Sequence, residues 1–429
     1  KVAGKNPAEI LFQARRLPTF FSFAAMCDDL LRRRGENLLI SCTREKANIQ
    51  IQIDGQWHAV AEMEAAQGQG VISVAQTLIG AGPEPSNRPL SGQLGLKKDK
   101  EKAVIRVTVT PTKTEYRALL RIEASSDKVS TLGELGLQDS QVEIVRRCMS
   151  GSGFFVSAAT PTQGSTTLWK SCLNSTDRWT RDWFSIVPNS DTESVMENIH
   201  RLVHPDGDVN AAISLIAQAN SKQAGAFVVP QLFDPKLVSE LIRCAREDKQ
   251  KVLTRVSAKS AAEGLLRAFA AAGDRKAMAE QLSGVIYQRL ARRLCTTCRV
   301  KQKVPTEMIK KLQGDPRVVD FLYVPKTIPQ ELPKNYKPCP TCSDLGYVGR
   351  IGVFEVIEVN DTIRQVLLTQ PKVEAITAAA RKTGSLSLMQ AGYPLLLQGI
   401  TSVDELKRVC GSLNYPAILQ APCPSSSSR

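Results

Sequence analysis

Alternation of apolar and polar positions marks the first third of the chain. In Ile49-Gln50-Ile51-Gln52-Ile53 every isoleucine falls on one side of a strand, and Asp54-Gly55 supplies a hairpin turn before Gln56 to Val60. Leu38 to Cys42, Ala103 to Val109 and Tyr116 to Ile122 alternate in the same way, while Pro83 to Pro89 reads as loop. The segment CDDLLRRRG at 27–35 reads as a helix end with Gly35 as its C-cap. These signals predict an α+β sheet module over 21–128 behind an N-terminal segment at 1–20.

The period then changes. Asp139 is placed to cap a helix reaching Met149, closed by Gly151 and Gly153. Short apolar runs follow at 154–156, 226–229 and 252–256, each leading into a helical segment, the first from Thr166. Strand, loop and helix in repetition predict an α/β fold with a parallel sheet and crossover helices. Between Asp274 and Leu294, the residues Met278, Leu282, Val285, Ile286, Leu290 and Leu294 recur at helical spacing, which predicts a helix with a core-facing stripe. Residues 361–411 read as all-helical, with Ser402-Val403-Asp404-Glu405 as a capping box for the last helix. The tail PCPSSSSR at 422–429 has the composition of disorder, and no internal repeat is evident.

With 429 residues, 42% of them apolar, the chain can build two to four domains with their own cores. No apolar run approaches the ~20 residues that span a bilayer. Lys1 to Pro7 lack the apolar core of a signal peptide, and the absence of an initiating Met leaves open a missing N-terminus. The net charge of +14 favours acidic partners such as phosphates, nucleic acid or anionic lipid. Its clusters are scattered, at 32–34, 97–102 and 289–293, which fits a solvated basic surface better than a nucleic-acid groove.

Four of the eleven cysteines form two pairs, Cys295-Thr-Thr-Cys298 and Cys339-Pro-Thr-Cys342. Two residues between thiolates let both reach one tetrahedral ion, with backbone amides turned toward the sulfurs. Four thiolates leave no open coordination position, so the expected zinc is structural. Unligated thiols or a redox dithiol are the alternatives. The other seven cysteines are scattered, as in a chain from a reducing compartment. His58, His200 and His204 lie far from the pairs in sequence and read as surface or packing residues.

These residues resemble the type II secretion / type IV pilus assembly ATPase family. Arg289 to Cys298 is similar to the family's lead into its zinc motif. Cys339 to Phe354 is similar to the second knuckle and the strand after it, and Gly399 to Val409 to the terminal helix. Ile51 to Gly55, Arg106 to Pro111 and Leu119 to Ile122 resemble the N-terminal sheet module. The resemblance covers roughly 20–412. It implies a RecA-like P-loop NTPase core at 129–290, a zinc-binding subdomain at 291–358, a helical C-terminal region at 359–415 and a disordered tail at 416–429. It also implies a hexameric motor, homo- or hetero-hexameric with family ATPases, on the cytoplasmic side of a bacterial inner membrane, working with secretion or pilus platform proteins. ATP and Mg²⁺ are the ligands it implies, and no specific nucleic acid is expected.

A phosphate loop reads G-x-x-x-x-G-K-[ST]: glycines let backbone N–H groups approach phosphate, Lys neutralises oxygens and the hydroxyl holds Mg²⁺. Here the matching stretch keeps Gly164, Ser165, Thr166 and Thr167, but Thr160 stands for the first Gly. The Lys is absent, and the loop is about two residues short. Lys170 is a helical turn away. No carboxylate occurs in Ser185 to Pro188, where the family carries an acidic segment. Gln231 stands where the family has its catalytic Glu and cannot act as a base. Asp234 remains, and Ser257 replaces the family's His. Arg106 and Arg121 match arginines that approach the phosphates in the family, and as edge-strand surface arginines they have an equally plain structural reading. The pattern points to a catalytically impaired scaffold or regulatory subunit. The alternatives are an ATP-hydrolysing secretion or pilus motor with atypical motifs, and a zinc-dependent nucleic-acid-binding protein.

Overall fold

A computed structural model describes residues 7–411, except 85–86, 99–100, 113, 124–128, 192, 194–195, 314, 316, 318–319, 330 and 332. The expected tail at 416–429 lies outside the described residues. The chain divides into two compact units, Lys1–Lys128 and Val129–Arg429.

In the first unit, α1 (Pro7–Arg15) and α2 (Phe20–Arg32) precede β1 (Asn37–Cys42), β2 (Lys46–Ile53), β3 (Gln56–Glu64), α3 (Ala65–Leu78), β4 (Leu90–Lys98), β5 (Glu101–Pro111) and β6 (Tyr116–Glu123). The strands form one antiparallel sheet in the order β3-β2-β1-β6-β5-β4. Strand alternation puts Leu38, Ile40, Ile49, Ile51, Val107 and Leu120 on the buried face, which α3 covers. Asp54 and Gly55, at φ 48° and 80°, make the β2–β3 turn in the left-handed geometry that matches strand twist. The expected C-cap role of Gly35 is corrected. Arg34 takes the left-handed position at φ 58°. Gly35 is needed for space, because a Cβ there would lie 2.5 Å from Leu30 Cδ1.

The second unit begins with α4 (Leu132–Leu135), α5 (Asp139–Ser150), β7 (Gly153–Ala159), α6 (Ser165–Asn174), β8 (Trp183–Pro188), β9 (Ile199–His204), α7 (Val209–Ser221), β10 (Ala226–Val229), α8 (Pro235–Arg246), β11 (Lys251–Ser257), α9 (Ala261–Ala270) and α10 (Arg275–Gln281). It continues with β12 (Leu282–Leu294), β13 (Val300–Lys303), α11 (Thr306–Lys311), β14 (Phe321–Val324), β15 (Tyr347–Glu358), α12 (Asp361–Thr369), α13 (Val373–Lys382), α14 (Leu388–Leu397) and α15 (Val403–Cys410). The seven-stranded sheet runs β15-β12-β7-β11-β10-β8-β9, parallel except for β15. Both faces are covered: Phe154 and Val156 of β7 enter one apolar cluster, and Phe155 enters the other. All of β7 is therefore buried and reads as a continuous apolar run.

The helical stripe from Asp274 to Leu294 is corrected. Only Arg275–Gln281 is helical, capped by Asp274 on the Ala277 amide. Leu282–Leu294 is β12, between β7 and β15. With both faces buried, Val285 packs into one cluster and Ile286 into the other, so the helical spacing of apolar residues carries no information about a helix face. Two caps also differ from expectation. Gln138, reciprocally bonded with Gln141, caps α5 in place of Asp139. Ser402 caps α15 through the Glu405 amide at 3.2 Å, but the Glu405 side chain does not return to complete a box.

Glu405 instead ties α15 to β12. Its carboxylate accepts from the Arg292 amide (2.8 Å), the Arg292 guanidinium (2.8 and 3.1 Å) and Arg408 (2.9 Å). Burial opposes its charge, but these donors outweigh burial and hold the carboxyl at about 2, below its ordinary 4.5. A depressed carboxylate contributes stability that is fully present above about pH 4.5 and lost as pH falls through about 2. Glu405→Gln is expected to cost about 3 kcal/mol near neutrality and to flatten the acid limb of the stability–pH profile in that window, measured by urea unfolding between pH 2 and 7.

Candidate functional site

In parallel α/β sheets the loops at the carboxyl ends of the strands gather on one side. Here β7 ends at Ala159 beside Ser257 of β11, with Gln288 of β12 on its other flank. The loops after β8, β10 and β11 open on the same side. The fold therefore brings Thr160, Gly164, Gln231, Asp234 and Ser257 to one edge.

Five residues, Thr160 to Gly164, connect β7 to α6. Thr162 and Gly164 sit at φ 67° and 74°. Gly164 is the N-cap of α6, and no side chain caps that end. Ser165 is half-buried, and Thr166 and Thr167 are exposed on the first turn. An uncapped helix start can attract an anion. The loop is tied to β12. The Gln288 amide donates to the carbonyls of Gln163 (2.8 Å) and Gly164 (3.5 Å), and Gln163 Oε1 accepts from the Leu290 amide (3.0 Å). A Cβ at position 164 would meet Gln288 Nε2 at 2.7 Å, so only Gly permits this approach. Gln288→Leu is expected to release the loop: amide exchange across 164–168 should accelerate while stability falls by about 1–2 kcal/mol, as read by hydrogen exchange and urea unfolding.

Carboxylates absent from Ser185 to Pro188 occur just beyond, where Asp191 and Glu193 line a cleft with Lys170, Trp169 and Arg201. One of these carboxylates belongs to a pair that the sequence does not indicate. Arg255 of β11 bonds Glu193 at 2.7 Å and lies 5.3 Å from the centre of the Trp169 ring. Gln231 and Ser257 are exposed and line a separate depression with Arg255 and Arg267. Asp234 is half-buried and accepts from the Lys236 amide at 2.7 Å, so its carboxylate caps α8 ahead of Pro235. In the first unit, Arg106 and Arg121 are cross-strand partners on β5 and β6, both exposed.

The four paired cysteines meet in space. Strand β12 runs past the sheet edge and delivers Cys295 and Cys298, and β15 begins just after Cys339 and Cys342, with Leu294 opposite Tyr347. All four sulfurs lie within 4.8 Å of one another, with 3.8 Å from Cys295 to Cys339 and 3.5 Å from Cys298 to Cys342. Tetrahedral thiolates about 2.3 Å from a zinc ion would stand about 3.8 Å apart. Burial raises the Cys339 thiol, but amides of Cys342 and Thr341 outweigh it and bring the thiol to about 7. Burial and the neighbouring thiols push Cys298 well up. A dication removes that conflict by stabilising all four thiolates together, so the donor set is compatible with zinc. The Cys295 amide bonds Gly346 O at 2.9 Å, joining the knuckles.

Comparison with known proteins places these features. The family model described as "Type II/IV secretion system protein" matches residues 18–408. The type IV pilus assembly ATPase PilB of Pseudomonas aeruginosa is 25% identical over 372 residues, 84% of this chain and 62% of that protein. TfpB of Acinetobacter baylyi, also a type IV pilus assembly ATPase, is 24% identical over 85% of this chain and 61% of its own length. The type II secretion system protein E of P. aeruginosa is 21% identical over 94% of this chain and 77% of its own. The chain thus spans about three fifths of the two pilus relatives. Among solved structures, the Legionella pneumophila ATPase DotB aligns at TM-score 0.53 with 12% identity, covering 89% of this chain and 93% of that one. The pilus retraction motor PilT with bound ADP aligns at 0.50 with 14% identity, covering 89% and 95%. At such identities the structural likeness speaks for the fold alone.

Proposed function

This chain belongs to the type II/IV secretion system protein family, and from that premise we propose that it is a catalytically impaired paralogue, a scaffold or regulatory subunit of a secretion or pilus assembly. The observation that carries the reading is the loop between β7 and α6, tied to β12 and without a Lys. Gln288 donates its amide to the Gln163 and Gly164 carbonyls, and no Lys stands beside the loop's N–H groups to neutralise a phosphate. The residues present do not fit a bound triphosphate with Mg²⁺. No Lys stands in 160–167, Gln231 cannot take a proton, and Asp234 is engaged in capping α8.

In this reading Cys295, Cys298, Cys339 and Cys342 hold a structural zinc that fixes the ends of β12 and β15. The family's division gives a core at 129–290, a zinc subdomain at 291–358 and a helical region at 359–415. The subunit joins a hexamer, with its own copies or with catalytically intact relatives, at the cytoplasmic face of an inner membrane. Arg106 and Arg121 are then retained from an N-terminal module that faces a neighbouring core. The test is co-purification with an intact relative: mixed rings by mass photometry support the scaffold role, and a strict monomer alone and in the mixture removes it.

A second reading, a nucleotide-binding motor with atypical residues, draws on Lys170, Asp191 and Glu193 lining one cleft. Titration with a fluorescent ATP analogue separates the two. Saturable micromolar binding abolished by Lys170→Ala favours the motor, and none is expected.

A further inference from the structure

Given the structural zinc proposed above, we propose that Cys298 is a modification site for hydroperoxides, with Cys342 as its resolving thiol, so that oxidation opens the four-cysteine cluster reversibly. Exposure separates the four sulfurs. Cys295, Cys339 and Cys342 are buried, at 0%, 8% and 1%, whereas Cys298 is half-buried. The chain around it is open to solvent, with Thr296, Thr297 and Val300 exposed. Backbone donors separate the sulfurs further. Cys339 is backed by the amides of Cys342 and Thr341, and Cys342 by the amide of Gly346. An N–H donor draws electron density from a thiolate and blunts its attack. The Cys298 sulfur instead faces the other three sulfurs. A thiolate that an oxidant can reach is the one it modifies. Cys298 Sγ lies 3.5 Å from Cys342 Sγ, in the opposite knuckle. The Thr297 and Thr341 hydroxyls bond at 2.8 Å and hold the two knuckle tips together. An oxidised Cys298 therefore has a second thiolate within reach on its buried side.

In the first step the Cys298 thiolate attacks one oxygen of the hydroperoxide. The O–O bond breaks, Cys298 becomes a sulfenic acid, and the departing alkoxide or hydroxide takes up a proton. In the second, the Cys342 thiolate attacks the Cys298 sulfur. The S–S bond forms, the S–O bond breaks, and the departing hydroxide takes up a second proton. The two thiolates lose two electrons and the peroxide gains them, ending as water and an alcohol, or as two waters from hydrogen peroxide. Joining Cys298 to Cys342 leaves two thiolates where four closed a tetrahedron, too few to hold a structural ion. A thiol reductant and fresh zinc restore the set. Little else competes for the oxidant. Cys27, Cys42, Cys148, Cys172 and Cys244 are buried. Cys410 is the other half-buried thiol among the described residues, and burial pushes it up to about 12, which leaves little thiolate at neutral pH.

The test treats the zinc-loaded full chain, carrying C410S and C423S, with hydrogen peroxide. Released zinc is followed with a metallochromic indicator, and samples quenched with N-ethylmaleimide are mapped by peptide mass spectrometry. Zinc release is expected in step with a Cys298–Cys342 disulfide, and dithiothreitol with added zinc should reverse both. The variant C298H keeps a closed site, because three thiolates and an imidazole also hold structural zinc. Its zinc should leave at least about tenfold more slowly under peroxide. Should C298H bind no zinc, the peptide map of the C410S/C423S chain decides alone. First oxidation at Cys295 or Cys339 overturns the proposal, as does release from C298H as fast as from its parent. Zinc retained under peroxide that oxidises glutathione in the same tube overturns it while leaving the structural zinc standing. A chain purified without zinc removes both.

Discussion

Replacing Cys339 with Ser is expected to abolish metal binding and unfold residues 295–346, while the parallel sheet of the same unit stays folded. Purified wild type should carry about one zinc per chain, and the variant essentially none. The size of the effect follows from the local core. Around the knuckles, Val304, Met308, Ile309, Leu312 and Leu322 are the main buried apolar residues, and they lean on Ile351, Val353 and α14. So few side chains do not offset the entropy of ordering about fifty residues. Structural zinc in small domains contributes about 10–16 kcal/mol of apparent binding energy. Losing one thiolate also leaves the buried Cys295 and Cys342 and the half-buried Cys298 without their ion. Limited proteolysis and hydrogen exchange should show loss of protection in β13, α11 and β14, with β7 and β11 unchanged. A metal-free wild type with the same melting temperature as the metal-loaded protein would contradict this account.

Much of this was legible in the chain because the relevant signals are local. Two-residue spacing between thiols announces a knuckle wherever the fold places it. Strict alternation at Ile49–Ile53 followed by Asp54-Gly55 leaves little choice but a hairpin. The short runs at 154–156, 226–229 and 252–256 became β7, β10 and β11 because a buried parallel strand needs no polar face.

What was missed depended on contacts distant in sequence. Helix α3 hides behind Gly68 and Gly70, which lower helix propensity. Both are there for packing: a Cβ at 68 would lie 2.2 Å from Ala47, and one at 70 would lie 2.8 Å from Thr19. Strand β12 carries a helix-like spacing because its neighbours bury both faces, which erases the alternation that identifies a strand. The same misreading concealed Gln288, whose importance comes only from lying opposite Ala159. Glu193 lies five residues beyond the end of β8, outside the short acidic segment expected directly after that strand. Nothing in the sequence links Arg255 to Glu193 and Trp169. That triad exists because β11 lies next to β7, whose loop leads into the Trp169 helix, so Arg255 can meet both Trp169 and Glu193.

The second large effect concerns turnover. Phosphoryl transfer rests on positioning and charge neutralisation, and removing one preorganised contact typically costs about 100-fold or more. In the proposed reading the loop Lys is absent, Gln231 and Ser257 stand in the Glu and His positions, and the Asp234 carboxylate caps a helix. Glu193, one of the carboxylates that line the cleft, is held by Arg255. Single repairs should therefore fail. Inserting Lys after Gly164 leaves Gln288 on the loop carbonyls, and restoring Glu at 231 leaves no cation to gather phosphate. The direct measurement is steady-state ATP hydrolysis by the pure zinc-loaded chain, beside a catalytically intact family member under the same conditions. The account predicts turnover at least about 100-fold below that control, and unchanged by Thr166→Ala or Asp234→Asn. Turnover within about tenfold of the control, abolished by either substitution, would contradict it.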